Sequence, residues 1–437
     1  MGSATLPGSL HFQIPADCVE SRTEVVGDTL AHMCFRQLVT QEDKASKGLI
    51  LFCRWLLERG APVQLANSRG ERVSTLIAKL EWDIQGAEDE LVRKAWDIQG
   101  TQLGDLLPAI RSLPPPLIAK AHKGQAGRVG VLGGSWEYTG APFYASVSSL
   151  KVGADLAFIF CHEHAAGPIK CYSPELVVYP AYPANTPPDE AAAALASALK
   201  QAISRMHTLV VGPGLGRDPG MQQGATLCIQ EARTAELGLV IDADGLQLLC
   251  QNPTLLAGYS RAILTPNRVE FSRLCSAVGV EEGKDPIATT AHLARALNGP
   301  TVVRKGEMDI ISNGTATYLC TEPGSLRRCG GQGDVLSGSA ATWLHWALQS
   351  GQPDGVPLAA FAACVVARRC SRAAFAKCKR SMTAPDLISQ IGDVMETLAP
   401  ASGPPQAGAP EPSGWETEVD VAGFLSRNVH ASDPSKL

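Results

Sequence analysis

The feature that most constrains the fold is a series of seven short apolar runs, rich in β-branched residues, that alternate with helical patterns. Runs that are apolar on both faces are typical of strands buried inside a parallel sheet. Strands are predicted at residues 128–132, 156–161, 176–179, 208–211, 239–241, 262–264 and 301–303. Helices are predicted at residues 141–151, 191–206, 222–234, 288–297, 335–349, 358–377 and 384–398. This order predicts an α/β fold, a three-layer α/β/α domain with a mostly parallel central sheet.

Proline-rich segments mark both ends of this domain. A proline triplet at residues 114–116 cannot continue a helix, and Pro, Gly, Ala and Ser dominate residues 400–412. We therefore expect an N-terminal extension at residues 1–115, the α/β domain at residues 116–399 and a disordered tail at residues 400–437. Within the extension, residues 82–86 recur as residues 96–100, but one repeat of five residues is too short to predict a solenoid.

Composition and charge exclude several classes of protein. The chain has 38 basic and 43 acidic residues, and its net charge of −5 is too small for a general attraction to nucleic acid or to an anionic membrane. Thirteen cysteines without a C-x-x-C pair indicate reduced thiols. No Lys or Arg precedes Arg22, whereas Asp17 and Glu20 do, which disfavours a secretory signal and a mitochondrial presequence. We expect a soluble, cytoplasmic protein.

Residues 161–164, Cys-His-Glu-His, have the side chains of a metal site. Adjacent ligands on one short segment rarely close a tetrahedral site without distant partners. We therefore expect a surface loop at these residues.

The most informative segment is residues 328–338, where glycines crowd the start of a predicted helix. Backbone N–H groups at a helix N-terminus bind phosphate, and glycines allow the phosphate to approach. Asp334 beside such a phosphate is placed to take the proton of an attacking hydroxyl. The segment alone does not separate this base from an Asp that only caps the helix. It is not a Walker A loop, because no Lys-Ser/Thr pair follows the last glycine.

Two further segments follow predicted strands, at the edge where parallel sheets bind ligands. Asn267 and Glu270 would share one face of a helical turn and offer oxygen atoms to magnesium through water. A capped helix start is the simpler explanation of the same two residues. The charged turn from Lys305 to Asp309 would contact a nucleotide's phosphates or ribose, or form an ordinary hairpin turn, which is the commoner case.

Three other segments also follow predicted strands. Residues 133–142 and 212–218 are glycine-rich loops in which a ligand can approach the backbone. Neither has the G-x-G-x-x-G spacing of a Rossmann turn, which disfavours an NAD-dependent dehydrogenase. Asp242 and Asp244 either face the same site or cap the next helix.

Taken in order, these segments resemble those of the ATP- or ADP-dependent NAD(P)H-hydrate dehydratases, members of the ribokinase-like superfamily. The resemblance runs from about Lys120 to Leu398. It implies a ribokinase-like fold and a lyase that repairs the S-form of hydrated NADH or NADPH. In the implied reaction, ATP and the hydrate give ADP, phosphate and NADH or NADPH.

The resemblance also assigns residues to roles. Asp334 would be the catalytic base, and Glu270 would hold Mg²⁺ through water. The hydrated dinucleotide would contact Gly214, Asn267, Arg268, Val269, Glu270, Phe271, Ser272, Arg273 and Asp334. The co-substrate ATP would contact Lys305, Gly306, Glu307, Met308, Asp309, Gly324, Ser325, Leu326, Arg327, Arg328, Cys329, Gly330, Gly331, Gln332 and Gly333.

The chemistry of this reaction fits the residues. Hydroxide is a poor leaving group from a reduced nicotinamide ring, whereas the lone pair of the ring nitrogen can expel a phosphate. The protein then needs a phosphate cradle, a base and a metal site. A small-molecule kinase of the same fold needs the same parts and is the main alternative. A non-catalytic nucleotide-binding protein is a second alternative, and a homo-oligomer is left open.

Two features depart from the family pattern. Residues 1–115 do not resemble the epimerase module that precedes the domain in some bacterial members. Met308 lies where the family pattern leads us to expect a polar or basic residue. A Cys- and Arg-rich stretch at residues 365–379 has no predicted role.

Overall fold

Nine strands form one sheet at the centre of the computed structural model, which describes residues 2–6, 10–14, 103, 106–118 and 121–400. Two earlier strands form an antiparallel pair of their own: β1 (Gly2–Leu6) and β2 (Leu10–Ile14). The nine strands are β3 (Arg128–Leu132), β4 (Leu156–His162), β5 (Leu176–Tyr182), β6 (Thr208–Val211), β7 (Gly238–Ile241), β8 (Ala262–Leu264), β9 (Thr301–Arg304), β10 (Asp309–Ser312) and β11 (Thr317–Cys320).

The strand order across the sheet is β11-β10-β9-β8-β7-β6-β3-β4-β5. All neighbouring strands from β9 to β5 are parallel, and only β10 runs antiparallel to both of its neighbours. The carboxyl ends of β3, β4, β6, β7, β8 and β9 therefore meet at one edge of the sheet, which we call the carboxyl edge.

Helices cover both faces of the sheet. They are α1 (Gly140–Val152), α2 (Glu163–Tyr172), α3 (Pro188–Ala202), α4 (Pro219–Thr234), α5 (Asp244–Gln251), α6 (Arg268–Ala277), α7 (Pro286–Leu297), α8 (Gln332–Ser350), α9 (Gly355–Cys378), α10 (Ala384–Ile388) and α11 (Ile391–Leu398). Buried residues of α1, α2 and α8–α11 share a core with one face of the sheet, and those of α3–α7 share a core with the other. The predicted three-layer α/β/α fold is confirmed.

The seven predicted strands are all present, and β3, β6 and β8 have the predicted bounds. The sequence did not predict β10 and β11, which add the antiparallel end of the sheet. Residues 161–164 were predicted wrongly as a surface loop: Cys161 and His162 end β4, and Glu163 and His164 begin α2. The single helix predicted at residues 384–398 is two, joined by a turn at residues 389–390 in which the Gln390 N–H donates to the carbonyl of Leu387, three residues earlier.

Residues that precede the proline triplet also contribute to the core. Ile110 and Leu113 are buried in the cluster that includes α8 and α9, and the Arg111 Nε donates to the Leu398 carbonyl at 3.3 Å. The division of the chain at residues 115 and 116 remains a prediction. The repeated segments at residues 82–100 and the tail beyond residue 400 lie outside the described residues. Within the described residues, no helix has the length and hydropathy needed to cross a membrane.

Candidate active site

A buried ion pair lies at the carboxyl edge and joins the loops that follow β7 and β9. Asp242 follows β7 and is only 2% exposed, and its Oδ1 accepts from the Lys305 Nζ at 3.0 Å and from the Thr265 Oγ1 at 2.7 Å. Lys305 follows β9, and its backbone N–H donates to the carbonyl of Pro266 at 2.9 Å. The loops after β7, β8 and β9 are thereby held as one unit.

Asp334 brings a second carboxyl group to this ion pair. It lies in the first turn of α8, directly after Gly333. A Cβ atom added to Gly333 would lie 3.6 Å from the Asp242 Oδ2 and 3.7 Å from the Lys305 Nζ, so this turn of the helix is next to the ion pair. Burial, and then the negative charge of Asp242, raise the pKa of Asp334 to about 7, although Lys305 opposes the shift. Asp334 is half-buried. Near neutral pH it can therefore gain or lose a proton.

The cation of Lys305 is stabilised by the same cluster. Burial alone would lower the pKa of Lys305, but Asp242, Glu270 and Asp334 together raise it. A raised pKa keeps the amine protonated at neutral pH, so a fixed positive charge faces three carboxyl groups. Such a group can bind phosphate as well as balance the carboxylates.

The start of α8 has the geometry of a phosphate cradle. The N-cap is Gly331, with a left-handed φ of 90°, and no side chain of the described residues caps the helix. Asp334 is therefore not a helix cap, which was the alternative to its role as a base. A Cβ atom on Gly331 would lie 2.5 Å from the Ala384 Cβ and 3.1 Å from the Tyr144 ring, which excludes any side chain there. The N–H groups of the first turn are left without a side-chain acceptor and can bind an anion.

The loop after β8 forms a capped helix start, which was the simpler explanation of Asn267 and Glu270 in the sequence. The Asn267 Oδ1 accepts from the N–H groups of Val269 and Glu270, and the Glu270 Oε2 accepts from the Asn267 N–H at 2.8 Å. Glu270 still takes part in the charged cluster: burial raises its pKa, while the backbone bond to Asn267 and the charge of Lys305 oppose this. Of the other predicted residues here, Phe271 is fully buried, and its backbone N–H already donates to the Asn267 carbonyl at 2.7 Å.

Arg368 on α9 organises the turn from Lys305 to Asp309. Its guanidinium forms an ion pair with buried Asp309 at 2.6 and 2.8 Å and donates to the carbonyls of Gly306, Glu307 and Glu322. Asp309 in turn accepts from the Gly306 N–H at 3.1 Å. The predicted ATP contact Asp309 is therefore occupied in holding the turn, and Arg368 is the residue that the sequence analysis missed.

The segment between β11 and α8 contains the rest of the predicted ATP residues. Ser325 is buried, and its Oγ bonds to the Arg327 carbonyl and to the Ser371 hydroxyl. Gln332 donates to the same Arg327 carbonyl at 2.9 Å. The segment is thus fixed at both ends, while Leu326 between them is 91% exposed.

The two glycine-rich loops pack against each other. The carbonyl of Gly214 accepts from the N–H groups of Gly134 and Ser135 at 3.0 and 2.8 Å. The Gly216 N–H donates to the carboxylate of Asp244, whose neighbour Ala243 has a strained φ of 47°. Asp244 therefore fixes a loop, whereas Asp242 faces the charged cluster.

The donors at this edge suit a magnesium ion only in part. The described residues contain no group of three or more His, Cys, Asp or Glu side chains arranged to hold a metal. Magnesium keeps several of its waters and is commonly bound by one or two carboxylates together with substrate phosphates. Half-buried Glu270, beside the cradle, fits this kind of site.

Comparison with known proteins agrees with this arrangement. A sequence model of the family described as NAD(P)H-hydrate dehydratase matches residues 129–393. A human protein named ATP-dependent (S)-NAD(P)H-hydrate dehydratase is 45% identical over 314 residues, which cover 70% of this chain and 88% of that protein. A protein of the same name from the fungus Mycosarcoma maydis is 42% identical over 357 residues, covering 77% and 96%.

Solved structures agree on the fold. A ribokinase-like superfamily protein from Enterococcus faecalis has a TM-score of 0.55 at 20% identity and covers 67% of this chain and 95% of its own. The ADP/ATP-dependent NAD(P)H-hydrate dehydratase from Bacillus subtilis, co-crystallised with ATP/Mg²⁺, has a TM-score of 0.50 at 20% identity and covers 67% and 97%. Sequence and fold together establish that the chain belongs to the NAD(P)H-hydrate dehydratase family.

Proposed function

We propose that the chain is an ATP-dependent hydro-lyase that converts the S-form of hydrated NADH or NADPH to NADH or NADPH, with ADP and phosphate as the other products. The observation that carries the proposal is the position of Asp334. A carboxyl group with a pKa of about 7 lies in the first turn of an uncapped glycine-rich helix, beside the cation of Lys305. A base, an anion cradle and a fixed positive charge meet at one point.

In the first step, the hydroxyl oxygen of the hydrated ring attacks the γ-phosphorus of ATP. The new O–P bond forms as the bond to ADP breaks, and the Asp334 carboxylate takes the hydroxyl proton. The first-turn N–H groups of α8 and the Lys305 ammonium stabilise the charge that develops on the transferred phosphoryl group. Asp242 acts through Lys305: it keeps that amine charged and in place.

In the second step, the lone pair of the ring nitrogen forms a C=N bond as the C–O bond to phosphate breaks. Loss of a proton from the neighbouring ring carbon then restores the double bond of the reduced nicotinamide. In this proposal the dinucleotide binds against the base through residues 267–273 and Gly214, and its presence there excludes water, whose attack would consume ATP without repair.

The proposed ATP contacts are the turn at residues 305–309 and the segment at residues 324–333. Both follow strands at the β9–β11 end of the sheet, and the second continues into the cradle at the start of α8. Glu270 would hold Mg²⁺ through water, and the ion would neutralise charge on the phosphates.

The test is recovery of NADH by the purified full-length chain from ATP, Mg²⁺ and hydrated NADH, followed by absorbance. We expect Asp334→Asn to lower kcat by about 10²- to 10⁴-fold, because it removes the base. Asp189→Asn, a change at an exposed position on α3, is the control and should leave the rate unaltered. The value of kcat/KM should fall as pH drops below about 7, because protonated Asp334 cannot accept the hydroxyl proton.

Two results would contradict the proposal. One is wild-type turnover in the Asp334→Asn variant. The other is a stable phosphoester, detected by phosphorus NMR, in place of NADH, which would identify a kinase.

A further inference from the structure

Exposed apolar side chains cluster on the loops of the carboxyl edge. Leu326 is 91% exposed within the proposed ATP segment, and Val269 is 58% exposed in the first turn of α6, which follows β8. At the far end, on the loop after β3, Trp136 is 67% exposed and Tyr138 is 57% exposed. An exposed Trp and Tyr two residues apart, on a loop beside a binding site, indicate a surface for a ligand.

The Trp136 ring is held in a defined orientation. It packs at a right angle to the His164 ring of α2, with centroids 4.8 Å apart and an interplanar angle of 88°. The next residue, Glu137, accepts from the Ser135 hydroxyl at 3.3 Å. Because Trp136 is still 67% exposed, the indole surface away from His164 is open to a stacking ligand.

The same loop is in direct contact with the proposed dinucleotide site. A Cβ atom on Gly214 would lie 2.9 Å from both the Cβ and the carbonyl oxygen of Tyr138. The Gly214 carbonyl already accepts two N–H bonds from Gly134 and Ser135. A ligand that touches Gly214 is therefore next to the loop that contains Trp136 and Tyr138.

The order of the strands gives the direction in which the dinucleotide extends. The reacting ring must lie at Asp334 and the loop after β8, and the proposed ATP contacts occupy the β9–β11 side. The other half of the dinucleotide must then extend across β7 and β6 toward β3. That is three strand spacings, about 14 Å at about 4.8 Å each, which a diphosphate bridge between two nucleosides can span.

We propose that Trp136, with Tyr138 beside it, is the stacking platform for the adenine base of the hydrated dinucleotide. This inference rests on the proposed function and assigns a subsite for the half of the substrate that does not react. Adenine has a flat aromatic face that stacks on indole, whereas the hydrated nicotinamide ring does not. A contact between two copies of the chain is the competing use of this surface.

The experiment compares two ligands that differ only in the adenylate half. NADH and reduced nicotinamide mononucleotide are titrated calorimetrically into the wild-type chain and into Trp136→Ala, Trp136→Phe and Leu117→Ala variants. Leu117→Ala is a matched control at a position that is 74% exposed and outside the site. We expect Trp136→Ala to raise the Kd for NADH about five- to tenfold and to leave the Kd for the mononucleotide unchanged. Trp136→Phe should retain most of the affinity.

The same variants are assayed for dehydration of hydrated NADH at varied ATP. We expect Trp136→Ala to raise the KM for the hydrate with kcat and the KM for ATP unaltered, as for a group remote from the reacting atoms. Because binding of NADH is measured without turnover, failure of the proposed reaction and failure of the adenine subsite are distinguishable.

Three outcomes would overturn the inference: an unchanged Kd for NADH in Trp136→Ala, equal losses for both ligands, or a change in sedimentation with unaltered binding. The last would assign the surface to contact between copies of the chain.

Discussion

The two edges of the central sheet both contain titratable side chains that are partly or wholly buried, and they use them in opposite ways. At the carboxyl edge, Asp242, Lys305 and Asp334 form a charged cluster in which burial raises the pKa of Asp334 to about 7. At the opposite edge, His207 and His345 stack with centroids 4.1 Å apart, and burial lowers the pKa of His207 to about 4.

The difference lies in what surrounds the shifted groups. The Arg128 guanidinium donates to the His207 Nε2 at 2.8 Å, so the neutral imidazole is the form that the fold accepts. His345 lies within the long helix α8 and contacts the carbonyl of Gln125 at 3.4 Å. His207 lies in the short connection directly before β6, at the amino ends of the parallel strands. A shifted pKa therefore indicates burial at both edges and does not by itself indicate a functional site. Only at the carboxyl edge do several loops also converge on the shifted groups.

The largest expected effect comes from removing the cation of the carboxyl edge. Lys305→Met would leave buried Asp242 without its ion-pair partner and the cradle without its charge. We expect the loss of one partner to cost about 3–5 kcal/mol of unfolding free energy and kcat to fall about 10²- to 10³-fold. The pH dependence of kcat/KM should also move upward, because Lys305 opposes the rise in the pKa of Asp334.

Adding Asp242→Asn to Lys305→Met separates stability from catalysis. The double variant removes the uncompensated buried charge, so denaturant unfolding should show partial recovery of stability while the rate stays low. Recovery of the rate as well would mean that the cation serves only to neutralise Asp242.

A second, smaller effect tests the ion pair between Arg368 and Asp309 at the same edge. Arg368→Met leaves Asp309 buried without its ion pair and frees the turn at residues 305–309. We expect a loss of about 3 kcal/mol in unfolding free energy and a several-fold rise in the KM for ATP, with the KM for the hydrate nearly unchanged. Asp309→Asn combined with Arg368→Met should lose less stability than the sum of the single changes.

A matched comparison is available on the same helix. Arg369 forms an ion pair with Glu322 at 3.0 Å but does not contact the turn. Arg369→Met should lower stability without a selective rise in the KM for ATP. Equal kinetic effects of the two arginine variants would show that Arg368 has no positioning role.

The sequence predicted the parallel half of this sheet well and its antiparallel end poorly. Continuous apolar runs such as residues 208–211 are distinctive because both faces of the strand are buried. Strands β10 and β11 have four residues each, and β10 begins at Asp309, at the end of a charged turn. Neither strand is therefore marked in the sequence by a continuous apolar run. The glycine-rich start of α8 was recognisable because its glycines and Asp334 are adjacent in the chain.

The partners of the charged residues could not be predicted. Arg368 and Asp309 are 59 positions apart, and no local pattern relates them. The pairing of Asp242 with Lys305, 63 positions apart, is equally remote. From the sequence, Asp242 and Asp244 had the same two alternative roles. The strained backbone at Ala243 separates them: Asp242 faces the charged cluster, and Asp244 accepts from the Gly216 N–H.

The smallest expected effect concerns the histidine pair and tests whether the opposite edge is only structural. Because the pKa of His207 in the folded chain is about 4 and that of an unfolded histidine is about 6.5, the unfolded state binds more protons between these values. The contribution of His207 to stability should therefore fall as pH drops from about 6.5 toward 4, by on the order of 1–2 kcal/mol after allowance for solvent screening. The raised pKa of Asp334 contributes in the opposite direction over the same range, so the comparison is between variants. Replacing both histidines by Phe should change the pH slope of stability in denaturant unfolding by the size of the His207 contribution and leave kcat at pH 7 unaltered. An equally steep slope in the double variant, or a loss of kcat, would remove the distinction between the two edges.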